Sequence, residues 1–177
     1  RGSSWRWSFV DSRGTARQID FDMASSGQRA NWPLSIIPQV VFSLRARGEL
    51  AQEFTLYVEE PEIHLHPTAE RAVVEVLAYL VKQGIRVVVT THSLTVLYTI
   101  NNLLKASQLP SSELTDEIDP AIRLRPDDVA AYHLRADGSI DSIIGADGSI
   151  DERALATVAD DLSLQLARIV KRVGPRR

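Results

Sequence analysis

The chain has 177 residues, of which 44% are hydrophobic, and its formal net charge at pH 7 is −3. This length and composition are typical of one globular domain with a real core, and they exclude a disordered chain. The small net charge excludes a global basic field for nucleic acid or anionic membranes, and the absence of cysteine excludes disulfides and cysteine zinc sites.

The first predicted element is a β-hairpin. Trp5, Trp7 and Phe9 alternate with smaller or polar residues, residues 11–14 are typical turn formers, and residues 16–21 run back. We expect the aromatic side chains in the core rather than in a base-stacking platform, because no basic residues are regularly interleaved with them.

Residues 24–28, Ala-Ser-Ser-Gly-Gln, precede a predicted helix that ends near Gly48. Small hydroxyl residues before a helix form a good anion site, since free backbone amides and the positive end of the helix dipole point towards it. The simpler alternative is an ordinary serine N-cap. Pro33 is expected within the first turn of the helix, and Pro38 is expected to kink it.

The most informative stretch covers residues 54–67 and has the sequence Phe-Thr-Leu-Tyr-Val-Glu-Glu-Pro-Glu-Ile-His-Leu-His-Pro. Its first five residues have the composition of a buried strand, which ends in Glu59 and Glu60. Carboxylates at the end of a buried strand are costly unless a cation or a reacting group uses them. The strand ends of an open α/β sheet are also where ligands bind. The stretch therefore predicts a metal–nucleotide site.

A strand–helix–strand unit begins with this strand. The predicted helix covers residues 68–83, and a second β-branched strand covers residues 85–91. Such a connection makes the two strands parallel, so their carboxyl ends meet at the same edge of the sheet. We therefore expect His92 to lie near Glu60.

The C-terminal part begins with Ser93, the predicted N-cap of the next helix. Residues 106–128 are polar and contain prolines, which predicts a long connection. Residues 129–134 are a predicted strand, and residues 155–170 a final amphipathic helix.

An internal repeat lies between that strand and that helix. Ala-Asp-Gly-Ser-Ile-Asp occurs at residues 136–141 and again at residues 146–151. A calcium loop is the alternative interpretation, but the acidic residues lack EF-hand spacing and the terminal glutamate. The repeat predicts two Asp-Gly turns around a short strand.

Three motifs in this order resemble the C-terminal half of an ABC-type ATPase head. Residues 24–28 resemble the ABC signature, residues 54–67 the Walker B strand and D-loop, and residues 87–93 the strand with the switch histidine. Glu-Glu-Pro-Glu followed by Leu-His-Pro is similar to the overcoming-lysogenization-defect branch of bacterial AAA-type ATPases. The resemblance implies an α/β fold with a largely parallel sheet, flanking helices and a small β-hairpin region.

The resemblance also implies three parts of one ATPase domain. They are a hairpin with the signature helix (5–48), a core from Walker B to the switch histidine (52–106), and C-terminal strands with a helix (128–172).

Each candidate residue receives its role from the resemblance. Glu59 stands where an acid, usually an aspartate, holds the Mg²⁺ shell through water. Glu60 matches the catalytic glutamate that orients or deprotonates the attacking water, and His92 matches the switch histidine that holds the γ-phosphate. The remaining implied ATP or partner contacts are Ser25, Ser26, Gly27, Gln28 and His66.

The sequence contains no Walker A loop, Gly-x-x-x-x-Gly-Lys-Ser/Thr. Its only lysines are Lys82, Lys105 and Lys171, and none follows a glycine. We therefore expect this chain to be a fragment or one piece of a split ATPase. Its implied partners are an N-terminal half that carries Walker A and a second ATPase head in a homodimer.

The implied function is ATP binding and Mg²⁺-dependent hydrolysis at a composite site in a head-to-tail dimer, in DNA repair or phage defence. We expect a cytoplasmic location, DNA or a nuclease as further partners, and no membrane, since no apolar run approaches the roughly 20 residues of a membrane span. Two alternatives stay open: a catalytically inactive interaction module, and the ATPase part of an ATPase–nuclease system.

Overall fold

The computed structural model describes residues 6–10, 14–20, 25–49, 54–110 and 118–173. Trp5, residues 11–13 and Ala24 lie outside these ranges. The strands and α-helices are, in order, β1 (Arg6–Val10), β2 (Ala16–Asp20), α1 (Ser26–Ala46), β3 (Thr55–Glu59), α2 (Pro67–Lys82), β4 (Arg86–Thr90), α3 (Leu94–Gln108), β5 (Tyr132–Leu134), β6 (Ile140–Ser142) and α4 (Arg153–Val173). Two short 3₁₀-helices, Pro120–Ile122 and Pro126–Asp128, lie in the connection between α3 and β5.

The central unit is β3–α2–β4. The two strands pair in parallel, with Leu56 opposite Val87 and Glu59 opposite Thr90, and α2 makes the crossover. This confirms the predicted strand–helix–strand unit. The predicted cap at Ser93 is also confirmed, because its side chain accepts a hydrogen bond of 3.4 Å from the N–H of Val96 at the start of α3.

One face of the parallel pair packs into a core with α1 and α2, because alternate residues of β3 and β4 are apolar. Burial of this face is the main stabilising contribution that the sheet makes. The buried members of this cluster are Val41, Leu56, Leu77, Leu80 and Ile85, and the partly buried ones include Leu34, Ile37, Val58, Val73, Val87 and Val89.

A second core lies on another side of α2, where the helix packs against α3 and the C-terminal segment. Helix α2 can serve both cores because its apolar residues occupy adjacent positions, so they extend around more than one side. The buried members of the second cluster are Val74, Ala78, Val96, Leu97, Leu103, Leu104, Leu124 and Ile150. These two clusters fix α2, and with it the loops at both ends of the crossover.

The sheet structure is mixed, whereas the sequence analysis expected a largely parallel sheet. Among the described strands, β3–β4 is the one parallel pair, while β1–β2 and β5–β6 are antiparallel hairpins. The reason is the length of the connections. Short turns join β1 to β2 and β5 to β6 and give antiparallel pairs, whereas the α2 crossover joins β3 to β4 as a parallel pair.

The position of Pro33 was predicted wrongly. Helix α1 begins at Ser26, so Pro33 and Pro38 both lie inside the helix rather than at its first turn. The helix begins earlier because the Ser25 carbonyl already accepts a hydrogen bond of 3.0 Å from the N–H of Arg29. A proline costs helix stability through its missing N–H donor, and packing of α1 on β3 and β4 offsets that cost.

The C-terminal predictions agree with the structure in kind and differ in length. Helix α4 and both Asp-Gly turns are present, but the predicted strand 129–134 is reduced to the three residues of β5. Within the described residues, no helix is both long and apolar enough to cross a membrane.

Candidate functional site

The candidate site lies where β3 and β4 end. Glu59 is the last residue of β3, and its register partner Thr90 is the last residue of β4. Both are exposed, on the face of the sheet that points away from the core. The parallel pairing thus places two loops side by side, one after Glu59 and one after Thr90.

Glu60 is held in an unusual backbone conformation. Its φ is +42°, in the left-handed region that residues other than glycine seldom adopt. Its N–H donates to the Thr90 carbonyl oxygen at 2.9 Å and lies 3.3 Å from Thr90 Oγ1, and its carbonyl accepts from the N–H of Ile63 at 3.1 Å. These hydrogen bonds offset the conformational cost of the positive φ. They also fix the Glu60 backbone, and with it the position of the Cβ atom.

Glu60 and His92 come together across the two loops. His92 Nε2 lies 3.7 Å from Glu60 Oε1, although the residues are far apart in sequence. The side chain of Glu60 is 35% exposed and that of His92 is 81% exposed. The expected proximity is confirmed, and a carboxylate and an imidazole at this distance can both contact one solvent-facing water or ligand group.

Glu62 joins the same two loops, and the sequence analysis assigned it no role. Glu62 Oε1 accepts hydrogen bonds from Thr91 Oγ1 at 2.7 Å and from the backbone N–H of His92 at 2.8 Å. The sequence did indicate Glu62, because it is the third acidic residue of Glu-Glu-Pro-Glu. Spacing alone could not show which donors it would meet.

Glu70 makes a second connection to the loop after β4. Its Oε2 accepts a hydrogen bond of 2.6 Å from the Ser93 hydroxyl. Glu70 lies in the first turn of α2, where a carboxylate is also favoured by the helix dipole. The start of α3 is thereby tied to the start of α2.

The signature-like residues lie at the start of α1, next to the loop after β3. Ser25 and Ser26 are exposed, and Gly27 is buried. A Cβ built on Gly27 would lie only 2.5 Å from the His64 carbonyl oxygen, so a glycine is required for this close approach. The structure thus brings Gly27 to the D-loop-like segment, while the side chain of Gln28 lies outside the description.

His66 has a structural role that its sequence position did not suggest. It is the N-cap of α2, where its Nδ1 accepts a hydrogen bond of 3.4 Å from the N–H of Thr68. Its side chain is exposed and 3.2 Å separates Nδ1 from Thr68 Oγ1. The structure does not bring His66 into the Glu60–His92 pair.

The acidic residues suit a cation that brings its own oxygen ligands. Within the described ranges, no three histidine, aspartate or glutamate side chains form a group that could hold a metal. Mg²⁺ usually takes one or two carboxylates and completes its shell with water and phosphate oxygens. Exposed Glu59 beside Glu60 fits that donor set, and it does not fit a metal site built from protein ligands alone.

The carboxyl ends of parallel strands and the N-termini of helices are places where α/β proteins bind phosphate-containing ligands. Residues 15–97 match a family model described as "AAA domain, putative AbiEii toxin, Type IV TA system". The matched segment runs from the start of the β2 region into α3, so it contains every candidate site residue. This segment is therefore similar to an AAA domain.

Neither the curated proteins nor the solved structures contain a match to this chain.

Proposed function

We propose that this chain supplies the hydrolytic half of an ATPase head, and that Glu60 and His92 act on the γ-phosphate end of ATP. The supporting observation is the 3.7 Å separation of Glu60 Oε1 and His92 Nε2 at the shared edge of β3 and β4. The family match over residues 15–97 supports nucleotide as the ligand.

In this proposal, Glu60 orients the attacking water and accepts its proton, and the His92 imidazole donates a hydrogen bond towards the transferred phosphoryl group. Phosphoryl transfer depends mainly on such positioning and on charge stabilisation. Glu59 holds the water shell of Mg²⁺, which when bound neutralises charge on the phosphates. Both carboxylates then act at one edge of the sheet without competing for the same ligand.

A second polypeptide half with the Walker A loop completes the head. The outer face of the β3–β4 pair supports this step, because Tyr57 is 76% exposed and its register partner Val88 is 40% exposed. Parallel sheets are normally covered on both faces, since their strands are apolar on both sides. A parallel pair whose outer face exposes Tyr57 and Val88 fits a docking surface for further strands or helices of the same head.

A second head provides the other side of the nucleotide site. Ser25 and Ser26 are exposed at the N-terminus of the 21-residue helix α1. Backbone amides at such a position favour phosphate. We propose that they face the ATP held by the partner head, in a head-to-tail dimer.

The description of the matched family names a putative AbiEii toxin and a type IV toxin–antitoxin system. We infer that the complete ATPase works in such a system or in phage defence. ATP-dependent closure of the two heads would then be the step that controls the effector.

The test uses the ATPase reconstituted from this chain and the half that carries Walker A. We expect Glu60→Gln to retain ATP binding, because the amide keeps the shape of the side chain, and to lower turnover by about 100-fold or more, because the base is lost. Glu75→Gln is the matched control, because Glu75 is half-buried on α2 and pairs with Arg71, and it should leave turnover unchanged. Unchanged turnover in Glu60→Gln would remove Glu60 from the catalytic role.

A further inference from the structure

Glu62 lies in the loop between β3 and α2, directly after buried Pro61. Its carboxylate crosses to the neighbouring loop and uses one oxygen for two hydrogen bonds. Oε1 accepts from Thr91 Oγ1 at 2.7 Å and from the backbone N–H of His92 at 2.8 Å. Hydrogen bonds to a charged acceptor are among the stronger ones in proteins.

These contacts fix three successive residues of the loop after β4. Thr91 donates its hydroxyl proton to Glu62, and the same hydroxyl oxygen accepts the N–H of Ser93 at 3.0 Å. His92 stands between them, and its own N–H is bound to Glu62. The backbone on both sides of the His92 Cα is thus tied, directly or through Thr91, to one carboxylate oxygen.

The same turn carries Glu60. The N–H of Ile63 donates to the Glu60 carbonyl at 3.1 Å, so Glu60 and Glu62 belong to one tight turn. One short segment therefore presents a carboxylate 3.7 Å from the imidazole of His92 and a second carboxylate 2.8 Å from its backbone N–H. The distance from the Glu60 carboxylate to the His92 imidazole therefore depends on the position of Glu60 and on the hydrogen bond from the His92 N–H to Glu62.

The second carboxylate oxygen of Glu62, Oε2, makes no hydrogen bond among the described residues. This oxygen is also buried. The contacts that Oε1 makes do not require a carboxylate, because an amide oxygen also accepts two hydrogen bonds. A glutamine can therefore replace Glu62 in this role, whereas an apolar side chain of similar size cannot.

We propose that Glu62 is a positioning residue of the hydrolytic site, which holds the His92 main chain so that the imidazole stays opposite Glu60. The proposal rests on the proposed ATPase function for its kinetic effect, and on the hydrogen bonds alone for its structural effect. Two measurements on the same variants separate the two.

The kinetic measurement compares Glu62→Leu and Glu62→Gln in the reconstituted ATPase. Glu62→Leu should lower kcat by about 10- to 100-fold and leave KM for ATP nearly unchanged, because a displaced catalytic group affects the chemical step more than binding. Glu62→Gln should retain most of the wild-type kcat. The matched control is Glu75→Leu, which removes a carboxylate that pairs with Arg71 on α2 and contacts neither loop, and its kcat should stay close to wild type.

The structural measurement is amide hydrogen exchange on this chain without nucleotide. Loss of the Glu62 acceptor should speed exchange of the His92 amide by about tenfold or more in Glu62→Leu. Exchange in Glu62→Gln should remain close to wild type. The amides of Leu103 and Leu104, both in the core of α3, report whether the fold is retained.

The possible outcomes give distinct answers. A lowered kcat and faster His92 exchange in Glu62→Leu, both rescued in Glu62→Gln, support the proposal. Wild-type kcat in Glu62→Leu overturns it even though the ATPase function stands. If the reconstituted wild type does not hydrolyse ATP, the proposed function fails, and His92 exchange that is unaltered in Glu62→Leu then overturns the positioning role as well.

Discussion

The loop after β3 and the two Asp-Gly turns of the C-terminal segment all contain residues with positive φ, but they use different residue types there. In the turns, Gly138 and Gly148 take the left-handed conformation, with φ of +84° and +75°. In the loop, Glu60 and His64 take it, with φ of +42° and +63°.

The difference shows where the chain accepts strain. Glycine adopts positive φ without a steric cost, whereas other residues lose roughly 1–2 kcal/mol. A turn that only reverses the chain can use glycine. Glu60 keeps its side chain at that cost, and residues held in this way cluster at functional sites. The comparison therefore favours a functional role for Glu60 independently of its sequence motif.

The largest expected effect comes from removing the strained side chain itself. Glu60→Gly should lower ATP turnover of the reconstituted ATPase by about 100-fold or more, because the proposed base is lost. It should also raise the free energy of unfolding of this chain by about 0.5–1 kcal/mol, because glycine relieves the left-handed strain. Turnover and urea unfolding measure the two effects. A variant that is both inactive and less stable would contradict the interpretation that strain is retained for function.

The next effect concerns the two turns, which share a sequence and differ in surroundings. Gly148→Ala would place its Cβ 2.9 Å from Cβ and Cγ of Pro126, whereas nothing lies within 4 Å of a Cβ at Gly138. Both alanines should cost about 1–2 kcal/mol from positive φ, and Gly148→Ala about 1–3 kcal/mol more from overpacking. Urea unfolding of the two variants checks the order. Equal losses would show that the Pro126 contact relaxes freely.

A smaller gain is expected at the second strained residue. His64 is exposed, so His64→Gly should raise the free energy of unfolding by about 0.5–1 kcal/mol. His64→Ala is the matched control, since it removes the same imidazole and keeps the positive-φ cost. The two variants should therefore differ in urea midpoint, with glycine the higher. Equal midpoints would mean that the loop relaxes away from positive φ when the imidazole is removed.

The smallest effect is a pH dependence that distinguishes the two turns. Hydrogen bonds from Lys105, and then from Ser149, hold the pKa of Asp147 well below its usual range, and Ser139 lowers the pKa of Asp137. A lowered folded pKa stabilises the protein fully above the unfolded pKa of about 4, and this contribution is lost as the pH falls below that value.

Asp147→Asn should therefore flatten the fall of Tm between about pH 4 and pH 2. Asp137→Asn should flatten it less, because within the described residues Asp137 accepts from Ser139, whereas Asp147 also pairs with Lys105 at 2.7 Å. Thermal unfolding across this pH range is the measurement. Identical slopes in the two variants would show that the Lys105 contact has no effect in solution.

Much of the fold followed from local patterns. The β-branched run at residues 86–90 and the helix pattern after Pro67 predicted the parallel β3–β4 pair, and the parallel geometry predicted that His92 lies near Glu60. The repeated Asp-Gly turns were also predictable, because glycine after aspartate is a strong turn signal. The roles of Glu59, Glu60 and His92 stay predictions.

Other parts of the site could not be read from the sequence. The role of Glu62 depends on which donors the neighbouring loop presents, and the need for Gly27 depends on the distance from α1 to the His64 carbonyl. The cap that His66 provides also depends on the exact start of α2.

The sequence by itself determined the order of the elements, the βαβ crossover and the acidic residues at its strand end, because periodicity and turn chemistry act over a few neighbouring residues. Only the tertiary structure decided that Glu60 is strained, that Glu62 holds His92, and that the outer face of β3–β4 is exposed. These properties arise from distances between segments about 30 residues apart, and the packing of α2 between two cores sets those distances.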